Sequence, residues 1–382
     1  MNEHTSQSDR GSHRQSVFER NPKKTLVTIS LLGLIICDLL ITNVLEFTGI
    51  HSPPHKIEQR YRTPHPVYHH TLEANVDSYD ALFGPLRYSV SSNSLGFKDR
   101  APREITLAAE HKRIIFIGDS FTEGIGIEYP DTFVGIMDDR LSGDGIEVLT
   151  AGVNSYSPII YRRKIEYLVD QGLTFDHLVV LIDLSDAHDE VFRYKLDENQ
   201  NVADIDPHGP IYALREWLTN NSSFYAYTRL WVRQFNHRKK AELLARQGGM
   251  SIHRQLANWT LNDDLYEKWG RKGLESATVH MDMLHQLSIE KQFELSIVVY
   301  PWPNQIWHRD LDSRQVSHWR NWSEDRGLRF VNLFPLFINE HKSSEEFIKQ
   351  LFIKGDVHWN NEGHALIADT LIESLDIKDK PD

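Results

Sequence analysis

The sequence has almost no cysteine: a single residue, Cys37, in 382. One thiol excludes an intrachain disulfide and a cysteine-rich zinc site. An excess of positive charge is missing too. Lys and Arg total 42 against 54 Asp and Glu, a net charge of −12, the reverse of the basic footprint that nucleic-acid binding requires. There is no Walker A run, no Gly-x-Gly-x-x-Gly after a strand, no His-Glu-x-x-His and no EF-hand loop, so no motif calls for a nucleotide, metal or other cofactor. No internal repeat is visible. What remains, 40% hydrophobic and 25% charged residues, is the composition of an ordinary folded protein.

One long apolar run breaks that pattern. Thr25–Leu45 reads TLVTISLLGLIICDLLITNVL, with Asp38 its only charge. A membrane span needs ~20 apolar residues, whereas a cleaved signal has an apolar core of ~7–15. The run is longer than such a core, and no small-residue cleavage pattern follows it. A retained, single-pass transmembrane helix over residues 25–45 is expected. Arg10, Arg14, Arg20, Lys23 and Lys24 precede the run, and only Lys56 and Arg60 follow closely. The positive-inside bias makes residues 1–24 a disordered cytoplasmic tail and puts the rest on the extracytoplasmic, periplasmic side of the inner membrane. Asp38 costs ~2.5–3.5 kcal/mol near the centre of such a helix. It has two readings: contact with a partner membrane protein, or snorkelling toward the outer interface.

Residues 46–80 carry Pro53, Pro54, Pro64 and Pro66 with His51, His55, His65, His69 and His70. Proline keeps such a stretch extended. It reads as a solvated linker, and the histidines lack a firm metal-ligand spacing. The folded domain is expected over 81–376. Within it Arg113–Ile117, Glu147–Thr150, His177–Ile182, Leu295–Tyr300 and Arg329–Leu333 read as strands. Thr132–Leu141, Ile159–Val169 and Glu362–Leu375 read as amphipathic helices. Strands alternating with helices imply an α/β fold, a mostly parallel five-stranded sheet covered on both faces. An insertion at roughly 190–272 reads as mostly helical and is rich in aromatics: Trp217, Phe224, Tyr225, Tyr227, Trp231 and Phe235. It reads either as a cap over a substrate groove or as an added helical layer with its own core.

The strand Arg113–Ile117 runs straight into Gly118-Asp119-Ser120-Phe121-Thr122-Glu123-Gly124. Open α/β sheets bind their ligands at the carboxyl ends of strands. A serine there can attack a carbonyl, and free N–H groups of a helix starting at that point can hold the oxyanion. Near the other end, Lys354–His364 reads KGDVHWNNEGH, placing Asp356 and His358 two residues apart on a loop before the last helix. A nucleophilic serine needs a base, and the base needs an orienting carboxylate. Asn361 is expected to cap the last helix, and His364 to be structural. The run YPWPNQIW (Tyr300–Trp307) leaves the fourth strand at the same edge, with Trp302 and Trp307 as candidate sugar-stacking contacts.

GDSFTEG after a strand, with an Asp and a His before the last helix, resembles the SGNH (GDSL-type) hydrolases, over roughly residues 85–375. The lead-in YSVSSNSLGFKD (Tyr88–Asp99) is similar to the corresponding segment of membrane-anchored bacterial members. The resemblance implies a three-layer α/β/α domain that hydrolyses or transfers acyl groups, often acetyl on carbohydrate. It implies Ser120 as nucleophile, His358 as general base and Asp356 as its orienting carboxylate. The oxyanion hole then comprises Ser120, Ser155 (where the family has glycine, within AGVNSYSP) and Ser185 (where it has asparagine, within IDLSDAHDE). Asn154 is a further candidate substrate contact. Asp-x-His replaces the family's usual Asp-x-x-His. Losing one oxyanion donor typically costs ~10²–10³ in turnover. A cell-envelope carbohydrate esterase, an O-acyltransferase and a decayed glycan-binding scaffold all remain open readings.

Overall fold

Runs that are apolar along their whole length can hide both faces only inside a covered sheet. The computed structural model describes residues 21–48, 61–84, 86–205, 210–246, 254–338 and 343–377. Its strands are β1 (Arg62–His65), β2 (His69–Leu72), β3 (Tyr79–Phe83), β4 (Leu86–Ser92), β5 (Lys98–Asp99), β6 (Lys112–Ile117), β7 (Ile146–Thr150), β8 (His177–Ile182), β9 (Tyr194–Leu196), β10 (Val202–Asp204), β11 (Glu294–Val299) and β12 (Arg329–Asn332). The helices that matter below are α1 (Pro22–Phe47), α2 (Ser120–Glu123), α3 (Phe133–Ser142), α4 (Pro158–Asp170), α5 (Asp186–Phe192), α6 (Pro210–Asn221), α7 (Ser223–Arg246), α8 (Arg271–Lys291), α9 (Arg314–Glu324) and α10 (Asn361–Ser374).

The main sheet has the order β12-β11-β8-β6-β7-β5-β4-β3. The first five strands are parallel, and they are the five that the apolar runs predict. The expected five-stranded sheet is extended to eight, because β5, β4 and β3 continue it antiparallel beyond β7. β4 reads Leu-Arg-Tyr-Ser-Val-Ser-Ser, an alternating strand with one drier face, which the search for continuous apolar runs passes over. The chain goes from β6 to β7 in one direction and then crosses back to β8. With right-handed crossovers this reversal sends α3 and α10 to one face and α4 and α8 to the other. Accordingly α3 packs against α10, and α8 against α4 and α5. The carboxyl edge beside β6 is therefore a topological switch point, where a crevice opens.

Two boundaries differ from the sequence expectation. The proposed linker, residues 46–80, is not solvated throughout. Its part from residue 61 folds as the β1–β2 hairpin, with Tyr61, Tyr68 and Leu72 buried. His65 stacks on Tyr68, and His70 hydrogen-bonds the Asn154 carbonyl. Aromatic burial outweighs the proline signal here, since Pro64 sits in a two-stranded pair that needs few donors and Pro66 in the turn that follows. His51 and His55 lie outside the described residues, as do residues 1–20 of the expected tail. The mostly helical insertion 190–272 also includes, near its start, the β9–β10 hairpin, which lies against the N-terminal one through Val202 N–H donating to Val67 O. Its later part is core, with Trp259 and Trp269 buried and Trp259 Nε1 donating to Leu184 O. Its middle, α6 and α7, exposes Trp217, Phe224, Tyr227, Trp231 and Phe235.

α1 is long and apolar enough to cross a membrane. Asp38, expected to meet a partner protein or to snorkel, instead points both carboxylate oxygens at the start of α7, accepting from Ser222 Oγ and from Phe224 N–H (3.1 Å).

Arg62 on β1 bonds Glu123 on α2 at 2.5 Å, with the Glu123 side chain fully buried. Removing one partner of a buried pair typically costs about 3–5 kcal/mol. Arg62→Ala is expected to lower the thermal midpoint by several degrees, as calorimetry of the purified protein would show. An unchanged midpoint would mean that the hairpin is not part of the folded unit.

Candidate active site

Three strand ends converge on the crevice. After β6 the chain turns at Gly118, where a Cβ would lie 2.2 Å from Thr122 Oγ1 and 2.9 Å from the Leu181 carbonyl. Only glycine lets β6 and β8 approach so closely. Asp119 then caps α2, its carboxylate accepting from Phe121 N–H at 2.9 Å. Ser120 is the first residue of that one-turn helix. Gly124 ends it in the left-handed region, φ 68°.

The histidine beside Ser120 arrives from the far end of the chain. Asp356-Val357-His358 forms a tight loop in which Asp356 Oδ1 accepts from the N–H groups of Val357 and His358 (2.7 and 3.1 Å) and lies 2.5 Å from His358 Nδ1. His358 Nε2 lies 2.8 Å from Ser120 Oγ. The shortened Asp-x-His spacing thus still lets one imidazole nitrogen face the carboxylate and the other the serine. The capping residue of α10 is Asn360, one position before the expected Asn361, with its side chain accepting from Gly363 N–H. His364 is buried, Nδ1 accepting from Phe133 N–H.

Burial by itself would lower the His358 pKa, but the Asp356 carboxylate, aided by Asp119 and Asp183, holds it above the ordinary 6.5. Burial would likewise raise Asp356, yet His358 and the two backbone donors keep it below the usual carboxylate range. The pair is therefore set up as carboxylate and a strengthened base. Beneath it, Asp119, Asp183 and Asp186 are buried together. Burial first, and then their mutual repulsion, push Asp119 and Asp186 upward, while burial raises Asp183. Ser120 Oγ also lies 3.2 Å from Asp119 Oδ2. A serine hydroxyl has one proton, so donation to Asp119 Oδ2 and donation to His358 Nε2 compete for it.

The proposed oxyanion groups separate into two kinds. Neither Ser120 N–H nor Ser155 N–H has an acceptor among the described residues. Ser155 holds a left-handed backbone, φ 67°, a conformation costing roughly 1–3 kcal/mol for a residue with a side chain. Its neighbourhood enforces it: Tyr194 Oη donates to Ser155 O at 2.7 Å, and Asn154 N–H donates to Glu123 Oε2 at 2.7 Å. Ser155 thus keeps a turn that a glycine would adopt more readily. Ser185 is different. Its N–H and Oγ both donate to Asp183 Oδ1, at 2.7 and 2.5 Å. Its hydroxyl is turned into the carboxylate cluster instead of presenting a free donor, because a short side chain beside a buried acceptor satisfies that acceptor first.

The aromatic contacts change place as well. Trp302, expected against a sugar ring, is 3% exposed and donates from Nε1 to Asp183 Oδ2 at 2.6 Å. It belongs to the packing under the site. Trp307 is half-buried against the core. Asn154 is half-buried, its side-chain Oδ1 accepting from Ser155 Oγ. Several groups were missed in the sequence. Phe83 and Phe121 lie 5.2 and 4.7 Å from the His358 ring, Tyr300 Oη donates to Asp119 Oδ1, and Glu123 ties Arg62 to Asn154. Only Glu123 carried a signal, as a charged residue next to the nucleophile on a buried turn.

No protein-family model and no curated protein matches the chain. Solved structures similar to it are esterases and lipolytic proteins. A psychrotrophic esterase from Pseudoalteromonas sp. is 14% identical, with 69% of this chain and 97% of that one covered and a TM-score of 0.39. A putative lipolytic protein of the G-D-S-L family from Desulfitobacterium hafniense is 11% identical, with 69% and 99% covered and a TM-score of 0.40. A catalytic mutant of an acetylxylan esterase from Geobacillus stearothermophilus is 12% identical, with 71% and 96% covered and a TM-score of 0.36.

His358 works as a base only when neutral. Since its pKa lies above 6.5, kcat/KM on a small ester should rise with pH through a limb centred above that value. In Asp356→Asn the raising charge is gone and burial remains, so the limb should move to lower pH while the rate falls. A limb that stays in place would remove Asp356 from this role. Ser185→Ala should fall well short of the ~10²–10³ loss of a true oxyanion donor, as steady-state kinetics would show.

Proposed function

We propose that this chain is a membrane-anchored serine esterase of the SGNH type, acting on a short acyl ester, O-acetyl on a cell-envelope carbohydrate being the class favoured. The observation that carries it is the continuous hydrogen-bonded chain from Ser120 through His358 to Asp356, closed across 238 residues of sequence. Ser120 Oγ attacks the ester carbonyl as His358 Nε2 takes its proton. The oxyanion is received by the N–H groups of Ser120 and Ser155. Collapse expels the alcohol, which takes the proton from His358. Water, deprotonated by the same nitrogen, then attacks the acyl-serine and releases the acid. A sugar hydroxyl in place of that water would make the same site an O-acyltransferase. The aromatic rings of Phe83 and Phe121 crowd the base and favour a small acyl group. The basic flank before α1 supports placing the catalytic domain outside the cytoplasm.

A fluorophosphonate should label the full-length protein at Ser120, as peptide mass spectrometry would locate. Ser120→Ala and His358→Ala should each abolish labelling and lower ester turnover by ~10⁴–10⁶, with no further loss in the double variant. Full turnover by Ser120→Ala would end this reading. Acetate release measured with and without an oligosaccharide acceptor separates hydrolysis from transfer. Protease added to intact spheroplasts should degrade the catalytic domain, and protection there would reverse the topology.

A further inference from the structure

The α6–α7 hairpin and α1 form a unit that the catalytic reading does not use. From Trp217 to Thr228 the sequence WLTNNSSFYAYT holds no charged residue, and it is bounded by Arg215-Glu216 on one side and Arg229 on the other. It includes the turn between the two helices. Within it Trp217, Phe224 and Tyr227 are exposed, Phe224 at 75%. Farther along α7, Trp231 and Phe235 are exposed and stack on each other at 5.6 Å. A water-facing helix would not place large apolar side chains outward in this way.

The polar turn is matched to α1. Asp38 accepts from Ser222 Oγ and Phe224 N–H, and Thr42 Oγ1 accepts from Ser223 N–H at 3.0 Å. The N–H groups of Ser223 and Phe224 at the start of α7 are thus satisfied by Thr42 and by Asp38, the one charged residue of the apolar run 25–45. Asp38 lies nine residues before the end of α1 at Phe47, about 13 Å at 1.5 Å per residue. The turn is held at that depth.

We infer that α6 and α7 form a re-entrant hairpin, its uncharged tip buried in the outer half of the lipid bilayer beside α1. This rests on reading α1 as a membrane anchor. In hydrocarbon every backbone donor must find a partner within the protein, and Asp38 and Thr42 supply partners for the tip. Arg215 and Arg229 each lie seven residues from Ser222, about 10 Å along a helix, which brings both charges close to the headgroups. Arg229 also donates to Thr219 Oγ1 at 2.8 Å, tying the two helices together. From Arg229 to Arg246 the sequence of α7 has six Lys and Arg against one acid, Glu242, in a chain of net charge −12. That local excess suits an anionic lipid surface.

The test uses full-length protein reconstituted in vesicles of phosphatidylcholine and phosphatidylglycerol. A polarity-sensitive fluorophore is placed on native Cys37, or, in a Cys37→Ser background, on Phe224→Cys or on Glu290→Cys of the catalytic domain. Lipids doxyl-labelled on the acyl chain should quench the labels at 37 and 224 alike and leave that at 290 bright. Asp38→Leu should lessen quenching of the label at 224. Quenching at 37 without quenching at 224 overturns the hairpin while leaving the anchor intact. A blue-shifted but unquenched label at 224 overturns it in favour of protein contact. No quenching at 37 overturns the anchor reading itself, and the hairpin with it.

Discussion

His358 reaches Ser120 because the next residue in the chain, Trp359, cannot move. Its indole is fully buried, with Phe121 and Tyr300 at 4.7 and 4.8 Å and Phe337 stacked at 6.4 Å. Phe352 bridges to Trp359 across the base of the loop. Burying a ring of this size contributes several kcal/mol, at least as much as a hydrogen bond to a charged group at about 1.5–3 kcal/mol. The loop that carries the base is therefore positioned by core packing, and the 2.8 Å contact with Ser120 follows from it. Phe121, next to the nucleophile, touches both Trp359 and the His358 ring. The Ser120 turn and the His358 loop thus share one aromatic cluster.

Charge beneath the site works in the same direction. Three buried carboxylates would be costly side by side if all were ionised. Their hydrogen bonds show how the protein tolerates them: Tyr161 donates to Asp186, Trp302 and Ser185 to Asp183, and Tyr300 to Asp119. The residual negative field raises the proton affinity of His358. The same cluster engages the Ser185 hydroxyl and the Trp302 N–H, and Trp302 lies buried beneath the site while Ser185 is half-buried beside it.

The N-terminal hairpin is tied to the turn that carries Ser120. Arg62 holds one oxygen of Glu123, whose other oxygen accepts from Asn154 N–H, and His70 bonds the Asn154 carbonyl. The strained turn at Ser155 thus has supports from β1, β2 and, through Tyr194, the β9–β10 hairpin. Strain of this kind persists only where surrounding structure over-determines it.

The five parallel strands, the serine turn and the Asp356–His358 loop were legible in the sequence, because each depends on local pattern: an all-apolar run, a glycine before a helix start, two groups at short spacing. α1 was legible for the same reason, since membrane-spanning length and apolarity belong to one segment. Local pattern sets which residue types lie at the sheet edge and which ends of the chain supply them. The packing of distant segments sets which of those groups point where. Ser185, Trp302 and Asp38 each have an acceptor or donor brought from elsewhere in the chain, or from a neighbour whose orientation depends on packing. A polar atom in a buried setting turns toward whichever partner long-range folding places beside it, and no spacing along the chain encodes that choice.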